Sequence, residues 1–211
     1  AIIGPTARFD HAVERIVYGK CVNAGQTCIA PDYVLLPRAR QEEFIERARA
    51  VFARMYPDFP SGGQYASVIM PRQHARLLQW LDAAAAGGAT VHPLADARND
   101  VGRLLPPVVL TDVAADAEVM REEIFGPLLP LVPYDSLEEA LGYIAARPHP
   151  LALYLFETDQ HAVRRVLQRT HAGGVAVNDT LYHIAQHRLP FGGVGASGMG
   201  AYHGKDGFRT F

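Results

Sequence analysis

The chain has 211 residues, 49% hydrophobic and 20% charged, with 20 Lys+Arg against 22 Asp+Glu for a formal net charge of -2. A chain of this size buries roughly 70% of its unfolded surface in one core, and the balanced charge excludes nucleic-acid binding through a basic, counterion-releasing surface. No run approaches the roughly 18 uninterrupted apolar residues of a membrane-spanning helix, and two cysteines are too few for a disulfide framework, which makes a reducing, cytoplasmic setting the default.

The first residues, Ala1-Ile2-Ile3-Gly4-Pro5, contain neither an initiator Met nor a signal-peptide pattern and read as mid-strand of something larger. Ala12, Val13, Ile16 and Val17 fall at helical spacing and predict a helix over 9–19. An apolar run at 33–36 predicts a strand. Phe44, Ile45, Ala48, Val51 and Phe52 predict a second helix over 39–55. A third opens at Pro71, where a missing N–H costs nothing, passes Leu77, Leu78 and Leu81, and stops at Gly87-Gly88. Strands are expected at 104–110 and 128–132. Ser136 and Glu139 then form a capping box for a fourth helix with Leu137, Leu141 and Ile144 as its buried stripe. After a strand at 151–156, a fifth helix begins near Asp159 with Val163, Val166 and Leu167 inward, and a last strand spans 174–177. The strand runs are continuously apolar, as in strands covered on both faces. The expectation is one α/β domain over 1–211, a largely parallel sheet covered by helices on both faces.

Cys28 lies in the turn Asn23-Ala24-Gly25-Gln26-Thr27-Cys28, where substrate and backbone N–H groups can reach it and favour the thiolate. Cys21 reads as a small buried hydrophobe. The cysteines form no CxxC pair, and no metal site is expected. Gly193-Val194-Gly195-Ala196-Ser197-Gly198 is a literal GxGxxG, but Pro190 precedes it and thirteen residues follow, too few for the acid that holds a ribose. Close approach of two backbones is the better account of it. His183 and His187 are four apart, yet Ile184 stands where a zinc protease needs Glu, so the pair reads as incidental. Glu122-Glu123 runs into Ile124-Phe125-Gly126-Pro127, by itself an acidic helix end followed by a turn.

Three motifs together resemble the catalytic domain of the NAD(P)-dependent aldehyde dehydrogenase superfamily, and in its order: Gly25-Gln26-Thr27-Cys28, Glu123-Ile124-Phe125-Gly126-Pro127, and Pro190-Phe191-Gly192-Gly193 leading to Ser197-Gly198. Asn178 also matches. Asp32-Tyr33-Val34, Arg147-Pro148 with Pro150-Leu151-Ala152-Leu153-Tyr154, and Gly198 to Lys205 resemble the class 3 type, especially its coniferyl aldehyde branch.

The resemblance implies oxidation of an aldehyde, aromatic by the finer match, to a carboxylic acid with NAD or NADP. Cys28 is then the nucleophile and its N–H an oxyanion donor, Glu123 binds the hydroxyls of the nicotinamide ribose, and Phe125 supports the ring beside it. The family's upstream base, a Glu in a Glu-Leu-Gly-Gly segment, its upstream oxyanion Asn and its cofactor-binding domain have no counterpart in these residues, so the chain reads as a catalytic half that lacks turnover alone. A homo-oligomer is implied, since members associate through strands that extend their sheets. Tyr182 is a candidate wall of an aromatic pocket. Two other readings stand beside this one: a cysteine hydrolase, which needs a His within reach of Cys28, and a non-enzymatic interaction domain that kept the fold.

Overall fold

A computed structural model describes residues 1–96 and 102–211. In chain order the elements are β1 (Ile2–Ile3), α1 (Phe9–Cys21), β2 (Val34–Pro37), α2 (Gln41–Met55), α3 (Pro71–Ala86), β3 (Thr90–Pro93), β4 (Val108–Thr111), α4 (Glu118–Arg121), β5 (Leu128–Tyr134), α5 (Leu137–Ala145), β6 (Ala152–Phe156), α6 (Gln160–Arg169), β7 (Gly174–Val177) and α7 (Gly204–Arg209). Among the described residues the strands form one seven-stranded sheet in the order β3-β4-β5-β2-β1-β6-β7, parallel except where β3 pairs antiparallel with β4. The expected α/β class holds.

The pleat sorts the apolar strand residues between two helical layers. Ile3, Val34, Leu36, Tyr154 and Phe156 face one way and pack with α1 and α2 through Val13, Ile16, Phe44 and Phe52. Ile2, Leu35, Leu153 and Leu155 face the other way, onto Leu141 of α5 and Val163 and Val166 of α6. A third cluster joins β4 and β5 to Leu77, Trp80 and Ala84 of α3. The two-residue β1 lies between β2 and β6, with Ile2 opposite both Leu35 and Leu155. The Tyr134 hydroxyl at the end of β5 reaches over β2 to donate to the Ile3 carbonyl at 2.6 Å in a buried setting.

Several expectations need correction. The run at 104–110 becomes strand only from Val108, because Pro106 and Pro107 have no N–H to give a ladder. β3 escaped notice because an edge strand of Thr, Val, His and Pro has no apolar run to display. Cover on both faces fails at β7, the sheet's edge, where Val175 and Val177 alternate as exposed residues. Leu167 is also exposed, since the buried stripe of α6 runs through Val163 and Val166. At α5 the Ser136 hydroxyl accepts from the Glu139 N–H as expected, but the Glu139 carboxylate accepts from Asp135 N, one residue earlier than a capping box requires.

Replacing Tyr134 with Phe keeps the packing but leaves the Ile3 carbonyl without its donor. The expected loss is about 1–3 kcal/mol in urea unfolding with an unchanged m-value; an unchanged midpoint would show that water replaces the hydroxyl.

Candidate active site

α1 ends at Cys21, and the chain then turns through three successive left-handed residues, Asn23 (φ 51°), Ala24 (φ 53°) and Gly25 (φ 72°). Left-handed backbone costs a residue with a Cβ roughly 1–2 kcal/mol, so this turn persists only because other contacts hold it. Gln26 supplies them. Its buried side-chain amide donates to the carbonyls of Asn23 at 2.9 Å and Ser67 at 3.1 Å, and its oxygen accepts from the Ile69 N–H at 2.8 Å. Cys28 emerges from the turn exposed, whereas Cys21 is buried and its thiol is pushed up by desolvation. The Tyr154 hydroxyl anchors the far side of the loop by donating to the Ile29 carbonyl at 2.7 Å.

Glu123 reaches the same place from the other direction. The Arg76 guanidinium on α3 donates to the backbone carbonyls of Glu123 and Ile124, and the Gln73 amide donates to that of Phe125 at 3.0 Å. Arg76 is itself stacked on Trp80, 4.0 Å from the ring centroid. The two motifs meet through glycine: a Cβ on Gly25 would stand 2.3 Å from the Gly126 carbonyl oxygen, so only a bare backbone permits the contact.

The result is a cleft of about 490 Å³ whose lining includes Cys28, Asp32, Glu123, Leu153 and Ser197. All three sequence motifs contribute to it. Burial raises the Glu123 carboxyl above its ordinary range, the charge on Asp32 adds to the rise, and Arg76 opposes it. Among the described residues no hydrogen bond occupies the Glu123 carboxylate, which leaves two oxygens to accept from a ligand.

Phe125 does not line this cleft; it is exposed, on a left-handed backbone at φ 46°. Tyr182 is absent from the wall as well: its ring stacks on the Arg15 guanidinium, which pairs with Asp179 at 2.6 Å. Asn178 clamps strand ends, its side chain bonding the N–H and carbonyl of Glu157, each at 2.9 Å. No histidine lines the cleft beside Cys28 among the described residues, which removes the hydrolase reading. His183 packs between Tyr154 and Phe191 while His187 packs on His203, so the two are not a pair. The GxGxxG segment has neither the strand nor the helix of a dinucleotide fingerprint; a Cβ on Gly193 would stand 2.0 Å from the Ser197 carbonyl, the close approach expected. Groups of three or more side chains able to hold a metal are absent among the described residues. Gln73, Arg76 and the clamping role of Gln26 have no signature in the sequence, because each acts on backbone carbonyls or amides distant along the chain.

The sequence profile described as "Aldehyde dehydrogenase family" matches residues 1–211. The chain is 50% identical over 212 residues to a probable coniferyl aldehyde dehydrogenase of Pseudomonas aeruginosa, covering 100% of this chain and 44% of that protein. It is 40% identical over 205 residues to the dimeric NADP-preferring aldehyde dehydrogenase of Bos taurus, covering 96% of this chain and 82% of that one. A solved structure of the substrate-bound state of Staphylococcus aureus AldH superposes with a TM-score of 0.91 at 40% identity, over 100% of this chain and 45% of that chain. The chain thus spans less than half the length of the Pseudomonas and Staphylococcus proteins.

Gly25 and Gly63 give a matched pair of substitutions, both at positive φ, Gly25 crowded by Gly126 and Gly63 with nothing within 4 Å. Gly63→Ala should cost roughly 1 kcal/mol from backbone strain alone. Gly25→Ala should cost about 1–3 kcal/mol more, because the Gly126 carbonyl must move. Equal losses in urea unfolding would show that the two motifs do not depend on this contact.

Proposed function

Because the chain belongs to the aldehyde dehydrogenase family, we propose that it forms the catalytic face of an NAD(P)-dependent oxidation of an aldehyde to its carboxylic acid, with Cys28 as nucleophile. The observation that carries this reading is the presence of an exposed Cys28 on one cleft wall with the unengaged carboxylate of Glu123 on the same cleft.

The Cys28 thiolate attacks the carbonyl carbon and forms a thiohemiacetal. The Cys28 N–H, which has no acceptor among the described residues, is free to donate to the developing oxyanion, where losing one donor typically costs on the order of 100-fold in rate. Departure of hydride from the adduct leaves a thioester on Cys28, which water cleaves to the acid. The nicotinamide, when bound, supplies the hydride acceptor. Glu123 fits the ribose attached to it, since a carboxylate held by no protein donor can accept from two neighbouring hydroxyls. Phe125 is assigned to support of the nicotinamide from the cleft's margin.

The dinucleotide's phosphates belong elsewhere. The cleft lies at the amino ends of β1, β2 and β6, by the residues that lead into them, and α1 ends beside it with its carbonyl pole, the last-turn Lys20 standing 3.7 Å from the wall residue Asp32. Phosphates favour helix amino ends. A separate cofactor-binding domain is therefore assigned outside these 211 residues, and on the family resemblance the general base is assigned there too. The uncovered edge at β7, with Val175 and Val177 exposed, supports association of subunits by sheet extension. Aromatic aldehydes of the coniferyl kind are the proposed substrates, supported by apolar wall residues Ile29, Ile144 and Leu153. Among the described residues no helix is long and apolar enough to cross a membrane, and a cytoplasmic reaction is proposed.

The 211-residue polypeptide should give no steady NADH or NADPH production with an aromatic aldehyde, and ordinary enzyme rates from it would overturn the assignment of the base to another domain. Joined to such a domain it should turn over, and Cys28→Ala should reduce the rate by more than about 1,000-fold. Retained turnover in that variant would remove Cys28 from the chemistry.

A further inference from the structure

α1 carries one residue that its core stripe does not explain. Val13, Ile16, Val17 and Lys20 recur at helical spacing on the buried face, and Lys20 is 1% exposed. Among the described residues its ammonium has no hydrogen-bond partner. The charge it faces is the Asp32 carboxylate, 3.7 Å away. Burying an ammonium without hydrogen bonds is costly, and the cost rises sharply if its counter-charge departs. Asp32 is thus held against Lys20, and Asp32 lies four residues after Cys28 on the same cleft wall, with Glu123 also lining the cleft.

We propose that Lys20 is a positioning residue for the nucleophile, acting through Asp32: its ammonium fixes the Asp32 carboxylate and balances its charge, so that the loop can develop a second negative charge at Cys28. The proposal rests on the reading of Cys28 as nucleophile. The charge account supports it. The cleft contains two carboxylates, Asp32 and Glu123, close to the carbonyl pole of α1, and a thiolate would add a third negative group. Arg76 offsets Glu123 through its place on α3. Lys20 does the same for Asp32 from the last turn of α1, where a cation also suits the helix end. Burial lowers Lys20 to about 8, so it carries its proton at neutral pH. The other titratable groups near it are the Cys21 thiol, pushed up by burial, and, in the 211-residue polypeptide, the Ala1 amino group, lowered to about 5; both are uncharged at neutral pH.

The test is site-resolved alkylation of Cys28 by iodoacetamide in the 211-residue chain, followed by mass spectrometry at about pH 7 and about pH 9.5, with thermal unfolding in parallel. Lys20→Met should slow alkylation about threefold or more at the lower pH. At the higher pH the parent's Lys20 has lost its proton and the two rates should converge. Lys20→Arg keeps a charge at both pH values and should retain the parent's rate at the lower one. Asp32→Asn removes the counter-charge, so the buried Lys20 sheds its proton, and both this variant and the double variant Lys20→Met, Asp32→Asn should alkylate at close to the parent's rate. If Lys20→Met alone does not fold, Lys20→Gln, uncharged but able to donate to Asp32, carries the same test. A rate change that is equal at both pH values, or no change in the folded Lys20→Met or Lys20→Gln variant, overturns the proposal, since a packing role alone would act that way. A Cys28 that alkylates with the expected pH pattern but supports no aldehyde oxidation in the joined enzyme would overturn the dehydrogenase reading and leave this one standing.

Discussion

The contact between the backbones of Gly25 and Gly126 is the constraint on which the site depends. It presses the left-handed turn that delivers Cys28 against the segment that delivers Glu123, at a separation no side chain would tolerate. Everything around it serves to hold that contact closed. Leu77 fills the space beside Gly126, Gln26 ties the turn to residues 67–69, and Arg76 and Gln73 grip the carbonyls of the opposing segment. Close packing makes such an arrangement stiff, which suits the proposed reaction, whose nucleophile must be held within a fraction of an ångström of its target.

Much of the fold is legible in the residues because burial imposes period. The stripes of α1, α2 and α5 and the apolar runs of β2, β5 and β6 announce themselves, since each must face a helix layer or a sheet. Edges are less visible. β3 and β7 need only one covered face, so β3 carries mixed residues and β7 an apolar run that the structure leaves half uncovered. The site divides in the same way. Cys28 and Glu123 are readable because the motifs around them recur in a known order, whereas Gln73 and Arg76 bind main-chain atoms and leave no pattern. Lys20 had a signal, a lysine on an otherwise apolar stripe, whose significance depends on knowing that Asp32 lies beside it. Tyr182 was ambiguous because an aromatic among apolar neighbours suits a pocket wall and a packed core equally, while here it covers a guanidinium.

Electrostatically the cleft is unusual for a parallel sheet. Ligands of open α/β sheets ordinarily sit outside the carboxyl ends of strands, where helices present their N–H groups. This one occupies the amino ends, among acids and a helix carbonyl pole, a setting that does little for phosphate and suits hydroxyl donors and a neutral carbonyl compound. The division of labour proposed between this region and a separate phosphate-binding domain follows from that polarity as much as from sequence likeness.

Besides Ile144 of α5 and Ala196 and Ser197 of the glycine-rich tail, the walls of the cleft come from four distant stretches of chain: Ala1, the loop at Cys28, the segment at Glu123 and the lead-in to β6 at Leu151. Each precedes a strand, and β5, β2, β1 and β6 are consecutive neighbours in the sheet. No local piece of the polypeptide therefore contains a partial version of the site, which arises only when those four strands have docked in register. Cys28 is in that sense a readout of long-range assembly, and a nascent or partly unfolded chain carries an ordinary surface thiol with none of the neighbours that give it chemistry.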